Sequence, residues 1–275
     1  MNARPPIGLC WGTVRDMDAI AMARLAGRHG YDAVALIPAQ LAGLDLAEVR
    51  RVLDGEGIAR VMLDGVLGML PRLPDWVRAL GVPEDRYFAI AEALGVTTFN
   101  VPHYRGDPAT PRQELVDALG PVAERAQRAG IRMALEFLPG TGIPDPAAAL
   151  QLAQAIGNNT VGVMVDTWHL ARAGGTLADI EALPAGSITG FQINDRTAGP
   201  PPPGDIFDDE MFERLIPGEG ALPLLETLRM VLARAPDVAV DVEIFSQAVR
   251  EGDAAASDDF ASRALAAIRH LISQC

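Results

Sequence analysis

The feature that most limits how this chain can fold is a rhythm. Eight short apolar runs recur along it, most of them roughly 25 to 35 residues apart: IGLCW (7–11), AVALIP (33–38), ARVML (59–63), TFNVP (98–102), RMALEF (132–137), VGVMVD (161–166), ITGFQIN (188–194) and VAVDVEIF (238–245). Between them lie amphipathic stretches, among them 16–30, 83–95, 111–130, 145–157 and 258–271, several opening on Asp, Pro or Thr and closing on Gly, the start and stop signals of helices. Eight strands alternating with eight helices predict a closed (β/α)8 TIM barrel occupying 1–275 as a single domain. A doubly wound sheet fits less well, because the strand count is high and no G-x-G-x-x-G follows the first run.

Composition agrees with a large core, since 49% of the 275 residues are hydrophobic. A formal charge of −13 with no Lys/Arg cluster argues against nucleic acid as a partner. Neither a signal peptide nor an apolar run of membrane-spanning length is present, so a soluble, cytoplasmic protein without membrane partners is expected. The two cysteines, Cys10 in a strand and Cys275 at the terminus, supply neither a disulfide framework nor a thiolate zinc site.

The apolar runs carry acids, and residue parity says where those acids face. In the eighth run Val238, Val240, Val242 and Ile244 share one face, while Ala239, Asp241 and Glu243 share the other. The same division separates Met133, Leu135 and Phe137 from Ala134 and Glu136, Val161, Val163 and Val165 from Met164 and Asp166, and Phe191 and Ile193 from Gln192 and Asn194. Bulky apolar side chains belong against the helices, so the small and polar set faces the barrel interior. Glu136, Asp166, Gln192 and Glu243 each stand at or near the carboxyl end of their strand, where barrel enzymes build their sites, on neighbouring strands about 4.8 Å apart.

Three carboxylates in a poorly solvated mouth repel one another unless a proton or a cation intervenes. A divalent metal held by Glu136, Asp166, Gln192 and Glu243 is therefore expected. The all-oxygen donor set favours Mn²⁺ or Mg²⁺, with Co²⁺ also compatible. Near this centre His169, Arg196, His103 and Trp11 are candidate substrate contacts, while Asp195 reads as structural and His29 and His270 as packing or surface residues. The IPGEG turn (216–220) puts Glu219 at its tip, and the long connection after the seventh strand, with Pro200 to Pro203 in series, reads as a binding loop.

Five blocks in order, ALEFLPG, VGVMVDTWHLARAGG, GFQINDR, RLIPGEG and DVEIFS, resemble the sugar phosphate isomerase/epimerase family, the xylose isomerase-like TIM barrels. The resemblance implies the same four metal ligands, with His169 and Arg196 near the substrate. Many relatives, the ketose 3-epimerases among them, have His where Gln192 stands; the bacterial 3-dehydroshikimate dehydratases are similar to this chain in having Gln. The superfamily's metal-dependent AP endonucleases match poorly in charge and in their His ligands.

The expected activity is a metal-dependent isomerase or epimerase of a ketose, inositol derivative or related polyol, with Glu136 and Glu243 as the proton acceptor and donor. A lyase dehydrating a cyclic polyhydroxy ketone, as in 3-dehydroshikimate or inosose dehydratases, and a non-catalytic sugar-binding barrel are the alternatives. Pairing of two copies through their helices, as in relatives of this class, is a further expectation.

Overall fold

The computed structural model describes residues 4–14, 17–199, 212–252 and 254–275. Two readings made above fall outside them, Asp16 at the start of the first helix candidate and the proline run 200–203. Eight parallel strands close a barrel in chain order: β1 Ile7–Cys10, β2 Ala33–Leu36, β3 Arg60–Leu63, β4 Val96–Pro102, β5 Arg132–Glu136, β6 Val161–Asp166, β7 Ile188–Ile193 and β8 Val240–Val242. The barrel closes where Ile7, Gly8 and Leu9 pair with Val240, Asp241 and Val242.

The helices are α1 Ala19–His29, α2 Leu46–Gly55, α3 Asp75–Arg78, α4 Glu84–Leu94, α5 Arg112–Arg128, α6 Pro146–Ile156, α7 Thr167–Arg172, α8 Leu177–Glu181, α9 Leu224–Arg234, α10 Gln247–Glu251 and α11 Ala254–Ser273. Their limits follow the expected chemistry. Asp18, Asp45 and Asp145 cap α1, α2 and α6 by accepting backbone N–H groups of Ala21, Ala47 and Ala148. Gly30 and Gly157 end α1 and α6 in the left-handed region, at φ 84° and 71°. Among the described residues no helix is long and apolar enough to cross a membrane.

Parity is realised as expected. Val34, Leu63, Met133, Leu135, Val163, Phe191 and Val240 join the core between sheet and helices. Cys10, Ala35, Met62, Ala134 and Met164 form a separate apolar cluster across the barrel's inside. This plug divides the interior into two ends. β8 is shorter than its apolar run: beyond Val242 the Glu243 N–H still donates to the Ile193 carbonyl of β7, while on the other side the Thr13 hydroxyl donates to the Val242 carbonyl and accepts from the Ile244 N–H. A side chain thus does the work of a strand on the β1 side, and Glu243 follows at the mouth.

Candidate metal and active site

Glu136, Asp166, Gln192 and Glu243 meet at the carboxyl-terminal mouth, each almost completely buried. Gln192 Nε2 donates to Glu243 Oε1 at 2.9 Å, and Glu136 Oε1 lies 3.1 Å from His169 Nε2. Asp166 is spread over several donors. Its Oδ1 caps α7, accepting from the N–H groups of Trp168 (2.7 Å) and His169 (2.8 Å), and its Oδ2 accepts from Asn194 Nδ2 at 3.0 Å. The D-T-W-H order therefore uses one acid both to start a helix and to hold His169 beside Glu136.

The sequence reading missed the cation. Arg214, on the connection from β7 to α9, is 2% exposed and donates through Nη1 to Glu243 Oε2 (2.9 Å) and Asp166 Oδ2 (3.2 Å). Its guanidinium lies between the rings of Trp168 and Phe245, 4.9 and 5.0 Å from their centroids. Burial alone would weaken its hold on its proton, but Asp166, Glu243 and Glu136 outweigh that and raise its pKa. Part of the charge balance assigned to a metal is thus supplied by the chain itself.

Two further inward groups went unread. Asp64 follows β3 at the inward parity of Arg60 and Met62, and Asn100 lies on β4. Asn100 Nδ2 donates to both Asp64 Oδ1 and Glu136 Oε2, each at 2.7 Å, and Trp11 Nε1 donates to Asp64 Oδ2 at 2.6 Å. A buried chain of contacts therefore runs from the indole of Trp11 to Glu136. Trp11, packed edge-on against Phe245, forms a wall of the mouth.

The other two candidate contacts lie elsewhere. His103 is buried, but its Nδ1 accepts from the Gly142 N–H at 3.1 Å and its Nε2 faces the Pro71 carbonyl at 3.0 Å, so both nitrogens are engaged in loop packing. Gly106 and Gly142 are close enough that a Cβ on either would meet the ring, at 2.2 and 2.9 Å. Arg196 donates to the Gly199 carbonyl at 3.1 Å and does not line the mouth. Sequence adjacency to Gln192 does not bring it there, because the chain has left the strand. Glu219 pairs with Arg263 of α11 at 2.6 Å. Asp195 is structural, its carboxylate accepting from the N–H groups of Arg196, Gly218, Gly220 and Leu222.

Burial pushes Glu136 well above the usual carboxylate range, reinforced by Asp64 and Asp166 and opposed by Asn100 and Arg214. Burial also raises Glu243, with Arg214 opposing and Asp64, Glu136 and Asp166 adding to the rise. His169 is lowered to about 4, chiefly by burial, so the imidazole is neutral. One guanidinium among four carboxylates leaves an excess of negative charge. Gln192 Oε1 is a buried acceptor without a hydrogen-bond partner among the described residues. Glu136, Asp166 and His169 offer ligand atoms within 4.8 Å of one another. A divalent cation fits this donor set, in which His169 adds a nitrogen to the expected oxygens.

The mouth opens into a cavity of about 340 Å³. Glu136, His169, Arg214, Glu243 and Asp64 form its polar end, and side chains such as Ile37, Leu67 and Leu138 its apolar wall. The model of the xylose isomerase-like TIM barrels matches residues 23–268. The chain belongs to that family. Among curated proteins it is similar to an inosose isomerase of Halalkalibacterium halodurans, 26% identical over 136 residues, which is 49% of this chain and 46% of that protein. The chain thus aligns with less than half the length of that relative.

Among solved structures it resembles the IolI protein with a bound zinc atom, with a TM-score of 0.81, 17% identity and 98% of each chain covered. It also resembles the D-psicose 3-epimerase of Clostridium cellulolyticum H10 with D-tagatose, with a TM-score of 0.73, 16% identity, and 97% of this chain and 99% of that one covered. At these identities the two structures establish the shared fold.

Proposed function

We propose that the protein is a divalent-metal-dependent isomerase or epimerase of a ketose, inositol derivative or related polyol. The observation that carries this reading is the pair Glu136 and Glu243, two buried carboxyl groups with raised pKa in one mouth, flanked by the neutral His169 and the charged Arg214. The matches to an inosose isomerase and to sugar epimerases support the same class.

Glu136, Asp166, Gln192 and Glu243 would hold the cation, with His169 beside them. Mn²⁺ or Mg²⁺ suits the oxygen donors, while the imidazole and the zinc in the similar barrel bring Zn²⁺ into the comparison. A bound divalent cation would polarise a substrate carbonyl and its neighbouring hydroxyl, making the carbon-bound hydrogen between them more acidic.

One glutamate then takes that hydrogen as a proton, and the other returns a proton. Delivery to the opposite face of the same carbon gives an epimer, and delivery to the adjacent carbon gives an isomer. A carboxyl group with a raised pKa holds a proton more strongly than an ordinary one, which strengthens it as the acceptor. His169, held by its N–H in the cap of α7, presents a neutral ring able to pass a proton between substrate oxygens. Trp11, Phe245 and the apolar wall keep water from the reacting carbon.

The second reading is a lyase that expels a β-hydroxyl after the same proton abstraction, favoured by Gln192 at the seventh strand. Incubating the metal-loaded protein in D₂O with ketoses, inososes and cyclic hydroxyketones separates the cases. Deuterium gained without loss of mass supports the isomerase or epimerase, loss of water the lyase, and no exchange with any substrate a sugar-binding barrel. Glu136→Gln and Glu243→Gln are each expected to lower kcat by about 10³-fold with an unchanged circular dichroism spectrum; substantial turnover in both variants refutes the assignment.

A further inference from the structure

Asp241 is the inward acid that the mouth does not use. It lies on the far side of the apolar plug, at the amino-terminal end of the barrel, and is 5% exposed. Among the described residues nothing donates a hydrogen bond to its carboxylate. Room for that carboxylate is made by Gly8 on the paired strand: a Cβ there would sit 1.8 Å from Asp241 Oδ1.

The end of the barrel around it is hollow. TIM barrels ordinarily fill their interior with layers of bulky branched side chains. Here small residues stand at several inward positions of the bottom layer, Ala33 on β2, Thr98 on β4, Gly190 on β7 and Ala239 before β8, around a cavity of about 280 Å³ that opens to solvent. That is close to the lower size of small-molecule sites, about 300 Å³.

Two arginines, Arg60 and Arg132, line the same cavity, together with Asp237. Arg60 opens β3 and is tethered by Nη1 to the Asp237 carbonyl at 2.5 Å. Arg132 opens β5, is exposed, and has no ion-pair partner among the described residues. Met62 and the plug close the cavity toward the catalytic mouth, so the two ends are separate compartments.

We propose that this cavity is a second ligand site, for a small carboxylate that also carries an ammonium or hydroxyl donor. The ligand carboxylate bridges Arg60 and Arg132, whose planar forks suit it, and the ligand's donor satisfies Asp241. A bare anion such as phosphate would engage the arginines and leave Asp241 facing like charge. A donor without an anion would leave both guanidinium groups unused. Amino acids and hydroxy acids share the required chemistry, and the test distinguishes them.

The experiment uses the full chain in thermal-shift and calorimetric titrations. L-serine and glycine represent the amino acids, L-lactate and glycolate the hydroxy acids, and acetate, inorganic phosphate and ethanolamine the incomplete ligands. At least one complete ligand is expected to bind saturably at about 10 mM or below, ten times a 1 mM Kd, and the three incomplete ones to bind at least about tenfold more weakly. Arg132→Ala, an exposed change that the fold tolerates, and Asp241→Asn are each expected to weaken binding about tenfold or more. Glu136→Gln should leave it unchanged. The proposal is overturned if no complete ligand binds, if acetate or phosphate binds as well as the complete ligands, or if Glu136→Gln abolishes binding while Arg132→Ala does not.

Discussion

At the carboxyl-terminal mouth, Asp64, Glu136, Asp166 and Glu243 share one guanidinium, three side-chain amides, an indole and an imidazole. At the amino-terminal end the buried Asp241 lies in a cavity that the exposed Asp237 also lines, and among the described residues nothing donates to its carboxylate. Burial is nearly the same for those four and Asp241; the surroundings differ. Desolvation alone therefore does not distinguish a reactive acid in this barrel from a merely frustrated one. The hydrogen bonds that aim the carboxylates at the mouth do, because they fix orientation as well as charge.

Removing the shared cation should break the comparison most visibly. Arg214→Met leaves Asp166 and Glu243 buried without their positive partner, and a loss of about 3–5 kcal/mol is expected by urea unfolding in the presence of a chelator. Adding a divalent cation should recover part of that loss. A variant as stable as the parent in chelator would mean that the acids take up protons and that Arg214 is not their principal counter-charge.

Asp241 sharpens the other side. Burial first and the field of Asp64 second push its carboxyl up to about 7, with Arg60 opposing, from 3.8 for an ordinary aspartate. Between those values the folded chain binds more protons than the unfolded one, so this group's effect on stability becomes steadily less favourable as pH rises through the window and is level above it. Asp241→Asn lacks that slope, and its advantage at pH 8 over the parent should be on the order of 4 kcal/mol. Unfolding at pH 4 and pH 8 measures it; an advantage equal at both pH values would show that the carboxylate is solvated where it lies.

The two remaining histidine and arginine candidates mark the small end of the scale. His103→Leu strands the Gly142 N–H and the Pro71 carbonyl and should cost about 1–3 kcal/mol with KM unchanged. Arg196→Ala should change stability by less than about 0.5 kcal/mol and leave kcat/KM unaltered. A raised KM in either would move that residue back to the substrate.

The barrel was legible in the sequence because strand and helix periods are local and were repeated eight times. The inward parity of Glu136, Asp166, Gln192 and Glu243 was legible for the same reason. Parity applied equally to β3 and β4 would have exposed Asp64 and Asn100, which the more conspicuous later strands obscured. Arg214 had no such signal: it lies on a connection without periodicity, and what brings it inside is long-range, two aromatic faces and two acids from three other segments. Arg196 and His103 drew attention by standing beside strand ends. Once the backbone turns out of the sheet, a neighbour in sequence faces whatever the loop requires, which for both is a backbone carbonyl.

The Asp195 carboxylate, gripping four backbone N–H groups between Arg196 and Leu222, knots the neck of the longest excursion from the barrel. The same knot fixes the approach to α9, and the backbone bridge between Asp195 and Leu215 ties Arg214, one residue away, to the same anchor.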